Sequence, residues 1–82
     1  MKIVWDELKR LTNLAKHGLD FSDLDPNFFV NARVAPSVDG RFVAVGELEA
    51  QMMIVTVVFK PLGAEAIAVI SMRPASRKER NI

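Results

Sequence analysis

The chain opens with Lys2-Ile3-Val4-Trp5, a short, mostly apolar run that predicts a first strand over 2–5. Asp6 follows as a good N-cap, and Glu7 suits the positive end of a helix dipole. Leu8, Leu11, Leu14 and Ala15 recur at helical spacing, which predicts one apolar helix face turned to a core. Gly18 is a natural residue just past a helix end, so this helix should stop near His17. Phe21-Ser22 reads as a second start, with Ser22 as N-cap and Phe21 as a staple residue. The short helix that follows would take in Leu24 and Phe28, with Pro26 tolerated only in its first turn.

From Val30 the period changes to two, with Val30, Ala32 and Val34 alternating with polar residues. Pro36 to Gly40 forms a turn. Arg41 to Glu47 is a strand with Phe42 and Ala44 on one side and Val43 and Val45 on the other. Met52 to Lys60 is rich in β-branched residues and reads as a central strand covered on both faces. Pro61-Leu62-Gly63 is a turn, and Ala66 to Met72 is the last strand. Ser76-Arg77-Lys78-Glu79 has the Ser-x-x-Glu spacing of a capping box and opens a third helix, too short to persist unless it packs. The order is β-α-α-β-β-β-α. Consecutive strands with short connections imply an antiparallel sheet, and helices packed on one face make the whole, 1–82, a single two-layer α+β domain.

Composition narrows the chemistry. Half of the 82 residues are hydrophobic, enough for a core, although a domain of this size buries only roughly 60–65% of its unfolded surface. The absence of cysteine excludes disulfides, thiolate metal sites and cysteine nucleophiles, and a single histidine excludes histidine-rich metal sites. No cofactor and no metal are expected, with a carboxylate-only magnesium site formally open. The longest apolar run, Met52 to Phe59 with Thr56 inside it, falls well short of the roughly 20 residues that span a bilayer. Asp6 and Glu7 stand where a secretory signal would be apolar, so a soluble, cytoplasmic protein without membrane contact is expected. The net charge of +1 conceals an uneven distribution. Arg73, Arg77, Lys78 and Arg80 face one acid, Glu79, in the last ten residues, while acids gather at Asp20, Asp23 and Asp25. A near-neutral protein can still present one basic face to phosphates.

Two segments carry a family resemblance. Trp5-Asp6, Lys9, Asn13, Lys16-His17-Gly18 and Phe21 resemble the opening motif of BrnT-type toxins, and Ile70 through Arg80 (Ile-Ser-Met-Arg-Pro-Ala-Ser-Arg-Lys-Glu-Arg) resembles their closing motif. Arg41-Phe42 and Gly46 sit where that family has an Arg-x-x-x-x-Gly strand. The chain departs from the pattern in carrying little charge over Lys60-Pro61-Leu62-Gly63-Ala64 and in ending soon after Arg80. The resemblance implies a RelE-like fold and an endoribonuclease toxin of a type II toxin–antitoxin pair that cleaves RNA without metal. It also implies neutralisation by a BrnA-like antitoxin with a ribbon-helix-helix DNA-binding domain. Because such an antitoxin is an obligate dimer, a 2:2 complex is expected, with DNA bound only through the antitoxin.

Metal-free RNA cleavage uses the 2′-hydroxyl as nucleophile. It needs a group to accept that proton, cations to hold the charge building on phosphorus, and a group to protonate the leaving oxygen. Arg73, at the end of the last apolar strand, is the candidate for the phosphate clamp, because its planar fork matches two phosphate oxygens. A solvated strand-end arginine would look the same. Arg77 is a second candidate catalytic cation, and Lys78 and Arg80 candidate RNA contacts. Arg77 and Lys78 would sit in a first helical turn, where the dipole disfavours cations, which suggests an anion nearby. Lys9, Asn13 and Lys16 share a helix face, either a plain solvent face or a second RNA-binding wall, with His17 at its end as the proton-transfer residue. Glu79 is explained by its capping box, and Trp5 reads as core more readily than as a base-stacking platform. Competing classes are a non-catalytic RNA- or protein-binding module and a stand-alone structural dimer.

Overall fold

In the computed structural model, which describes residues 1–81, five strands form one sheet in the order β1-β5-β4-β3-β2. The elements are β1 (Lys2–Trp5), α1 (Glu7–His17), α2 (Pro26–Asn31), β2 (Arg33–Pro36), β3 (Phe42–Leu48), β4 (Met53–Leu62), β5 (Ala66–Pro74) and α3 (Arg77–Arg80). Four strands follow the helices, one more than the expected order β-α-α-β-β-β-α, because Arg33–Pro36 pairs with β3 as a strand of its own. Strands β2 to β5 form an antiparallel meander, as short connections require. The expectation of a wholly antiparallel sheet fails at β1, which pairs parallel to β5 from Lys2↔Ala66 to Trp5↔Val69. Two helices separate β1 from the meander, and such a connection is not a hairpin and permits parallel entry at the far edge.

Capping explains where the helices begin. Asp6 accepts from the Leu8 N–H at 2.8 Å, and α1 ends at Gly18, whose φ of +70° is the left-handed cap that glycine favours. Two short elements replace the expected Ser22-capped helix. Asp20 caps a 3₁₀ turn over Phe21–Asp23, and Asp25 caps α2 with Pro26 in its first turn. The aspartates win because each follows extended backbone and offers its carboxylate to an N–H two or three residues on. The expected turn at Pro61-Leu62-Gly63 is also shifted, since β4 continues through Leu62, where β5 is its partner and β3 has already ended.

Leu19, Phe21, Leu24 and Phe28 pack on the inner sheet face made by Ala44, Leu48, Val55, Val57, Phe59, Val69 and Met72. Gly46 lets α2 and the start of β2 close on β3. A Cβ there would stand 3.1 Å from the Ala32 Cβ and 3.3 Å from the Phe28 ring. Trp5 packs edge-on to Phe21 with centroids 6.2 Å apart, a core role. Met53 packs on the core, while Met52, at φ 52°, is exposed.

Two packing expectations are overturned. The leucine face of α1 does not point inward: Leu8 is 74% exposed and Leu11 47%, and the buried residue of the helix is Asn13. Its amide explains why. Strand β1 covers β5 only as far as Val69, and beyond it the Asn13 Oδ1 accepts from the Met72 N–H at 3.0 Å, while its Nδ2 donates to the Leu19 carbonyl at 3.2 Å. The polar side of α1 thus closes the open edge of β5. The helices also do not all share one face. Thr56 lies between the inward Val55 and Val57, so its side chain points outward, where its hydroxyl donates to Glu79 of α3 at 2.9 Å. The short α3 therefore packs on the outer face, which α1 and α2 leave open.

Candidate active site

The outer face carries an ion pair at its centre. Glu79 binds the end of the Arg73 guanidinium with both oxygens, at 2.8 and 2.9 Å. The same carboxylate accepts from the Thr56 hydroxyl at 2.9 Å and the Ser76 N–H at 2.8 Å, and the Ser76 hydroxyl accepts from the Glu79 N–H, which completes the capping box. The capping role expected for Glu79 is therefore real but partial, since this one side chain also ties α3 to β4 and β5. The Arg73 guanidinium, then Ser76 and Thr56, hold the Glu79 carboxyl at about 2, far below its ordinary 4.5. An acid held that low is a poor general base at neutral pH and stays ionised. Glu79 in turn raises the Arg73 guanidinium, which is cationic in any case.

The guanidinium has a second edge. Its end-on donors are spent on Glu79, but its Nε–H makes no hydrogen bond among the described residues, so the side-on fork is open to an anion. Arg73 borders a groove of about 470 Å³ between α1 and the uncovered half of β5. Lys9, Lys16 and His17 line it from α1 and Ser71 and Arg73 from β5, with Leu8 at its rim; no carboxylate lines it.

The tertiary fold thus brings Lys9, Lys16, His17 and Arg73 to one groove, although Lys16 and Arg73 stand 57 positions apart in sequence. Asn13 also lines it, but each end of its amide is bonded to the backbone, so its first role is in the fold. Arg77 and Lys78 are exposed on α3 and line no described pocket with the others. Arg80 lies on the opposite side of the ion pair, in a second pocket with Arg33, Val45, Glu47 and Ile54. Sequence reasoning did not single out Thr56 or Arg33. A lone threonine inside an apolar strand was the available signal for Thr56, since a buried hydroxyl needs a partner. Among the described residues no group of three or more His, Cys, Asp or Glu side chains gathers as a metal site would require, and no helix is long and apolar enough to cross a membrane.

A small α+β fold with a cation-lined groove at a sheet edge and an arginine anchored beside it defines a class of protein built to hold a polyanion. Comparison with known proteins makes the class specific. The family model for the ribonuclease toxin BrnT of type II toxin–antitoxin systems matches residues 5–79. The 1.1 Å crystal structure of the Brucella abortus ribonuclease toxin BrnT superposes with a TM-score of 0.87 at 56% sequence identity, over 94% of this chain and 99% of that one. No curated protein matches significantly. The chain belongs to the BrnT family of ribonuclease toxins. Membership implies an endoribonuclease with an RNA substrate and an antitoxin partner.

Proposed function

We propose that this chain cleaves RNA, without a metal ion, in the groove between α1 and β5: the 2′-hydroxyl attacks the adjacent phosphorus, the bond to the 5′-oxygen breaks, and that oxygen leaves with a proton as a 2′,3′-cyclic phosphate forms. The observation that carries the reading is the convergence of Lys9, Lys16, His17 and Arg73 on one groove that no carboxylate lines. Arg73 presents its side-on fork to two phosphate oxygens, with Glu79 holding its other end so that the fork is already oriented. His17, half-buried at the end of α1, transfers the proton, and Lys9 and Lys16 hold flanking phosphates. Arg77 and Lys78 contribute long-range attraction, and Arg80 contacts the strand beyond the ion pair.

One observation favours the non-catalytic alternative, namely that Glu79 occupies part of the candidate arginine. The open side edge answers it, because a guanidinium has donors for a carboxylate and a phosphate together. The partner we propose is a BrnA-like ribbon-helix-helix antitoxin in a 2:2 complex in the cytoplasm, with DNA contacted only by the antitoxin. The exposed Leu8 and Leu11 beside a cationic groove suit an acidic partner segment with apolar side chains.

Purified protein and a defined RNA test the chemistry. Cleavage should survive EDTA, vanish when the cut-site nucleotide is 2′-deoxy, and fall about 10²-fold or more in Arg73→Lys, which keeps a cation beside Glu79 but loses the fork. Activity lost in EDTA and restored by Mg²⁺, or unchanged in Arg73→Lys, would refute the mechanism.

A further inference from the structure

The second pocket, on the far side of the Arg73–Glu79 pair, has a different chemistry from the phosphate groove. Its volume is about 220 Å³, below the roughly 300–1,000 Å³ of pockets for drug-sized ligands and suited to one planar ring system. Val45 and Ile54, both half-buried, supply an apolar floor from the outer sheet face. Two carboxylates line it: Glu79 is committed to Arg73, Thr56 and Ser76, whereas Glu47 makes no side-chain hydrogen bond or ion pair among the described residues, and neither do Arg33 and Arg80. Asn31 spends its Nδ2 on the Asn27 carbonyl at 3.0 Å, which leaves its Oδ1 as an acceptor.

Position ties this pocket to the groove. The ladder pairs Arg33 with Val45, Val45 with Thr56 and Thr56 with Arg73, so one transverse row crosses the outer face from the pocket to the phosphate clamp. Three strand spacings of about 4.8 Å put the two ends roughly 14 Å apart, within reach of neighbouring nucleotides of one strand.

We infer that this pocket is a nucleobase subsite selective for guanine, read by the Glu47 carboxylate; the inference rests on RNA being the substrate. An ionised carboxylate only accepts, and it accepts two parallel N–H bonds. Guanine alone among the four bases places two donors, N1–H and the N2 amino group, side by side on its Watson–Crick edge. Adenine and cytosine pair one donor with an acceptor there, and uracil flanks its single donor with two carbonyls. The adjoining edge of guanine, O6 and N7, is the pattern an arginine fork recognises, and Arg33 and Arg80 border the pocket. Val45 and Ile54 would receive the ring face, as splayed bases in RNA-binding proteins rest on apolar or aromatic surfaces.

Glu47→Gln is the decisive variant, because it keeps shape and makes one of the two acceptors a donor, the pattern that suits adenine. Nuclear magnetic resonance titrations with GMP, AMP, CMP and UMP compare the bases at equal phosphate charge. GMP should shift the amides of Gly46, Glu47 and Ile54 at about tenfold lower concentration than the others, and Glu47→Gln should remove that advantage and favour AMP. Cleavage of a randomised RNA should show guanine enriched at one fixed position from the cut, and the variant should lose the enrichment. Equal response to all four nucleotides, or a guanine advantage that survives Glu47→Gln, would overturn the subsite. GMP binding at these amides in a protein that cleaves no RNA would instead sink the cleavage reading and leave the subsite standing.

Discussion

Replacing Glu79 by glutamine removes one negative charge from the centre of the outer face and leaves almost everything else in place. Glutamine still fits the third position of a capping box, and its carbonyl oxygen can still accept from Thr56 and Ser76. What is lost is the charge-assisted bidentate contact with Arg73. The Glu79 carboxyl lies at about 2 against an ordinary 4.5. At about 1.36 kcal/mol per pH unit, that gap sets a ceiling of about 3 kcal/mol on the stability it supplies. The side chains of Arg73 and Glu79 are 43% and 24% exposed, so solvent screening reduces the expected loss to about 1–2 kcal/mol.

The sign follows from the direction of the shift. A carboxyl depressed in the folded state contributes fully above its unfolded value, near 4.5, and the contribution disappears as pH falls toward about 2. Urea unfolding of the two proteins should therefore differ by about 1–2 kcal/mol at pH 7 and converge between pH 4.5 and pH 2. For a chain of this size each kcal/mol also moves the melting temperature by about 4–8 °C. Equal stabilities at pH 7, or a difference that persists unchanged to pH 2, would refute the reasoning.

Two further substitutions probe how the site is held. Asn13→Ala leaves the Met72 N–H and the Leu19 carbonyl without their partner in a buried place, at about 1–3 kcal/mol each, and chemical denaturation should register a loss of about 2–4 kcal/mol; a loss under about 0.5 kcal/mol would contradict the edge-closing role. Gly46→Ala places a methyl 3.1 Å from the Ala32 Cβ and should cost about 1–3 kcal/mol by thermal melt, whereas an unchanged melt would mean that α2 and β3 part without strain.

Much of the framework was legible along the chain. The strands expected over 2–5, 41–47, 52–60 and 66–72 lay within a residue or two of their places, and Asp6, Gly18 and the Ser76–Glu79 box marked the helix ends, because side-chain patterning and capping are properties of a few neighbouring residues. The alternation read from Val30 was misleading, since α2 runs through Asn31 and the strand begins only at Arg33. The second helix was misjudged by choosing Ser22 over Asp20 and Asp25, both of which stand at turns that only the folded backbone defines. The leucine spacing of α1 was read as a core face, and the structure leaves Leu8 and Leu11 outward and Leu14 half-buried, because the unpaired edge of β5 requires the Asn13 amide.

The site divides along the same line. The sequence by itself determined the inventory: basic residues at both ends, one histidine, no thiol, and the paired motifs that resemble the BrnT family. It also determined which residues were local partners, as Ser76 and Glu79 are. Only the tertiary structure decided that Lys9, Lys16, His17 and Arg73 share a groove, that Asn13 belongs to the fold, and that Arg77 and Lys78 stand apart. The parallel entry of β1 and the placement of α3 on the outer face were decided there too. The physical reason is range. Caps and alternation are settled within a few residues, whereas the position of α1 beside β5, and of Glu79 beneath Arg73 and Thr56, is settled by unsatisfied donors and acceptors that meet only when distant strands pair.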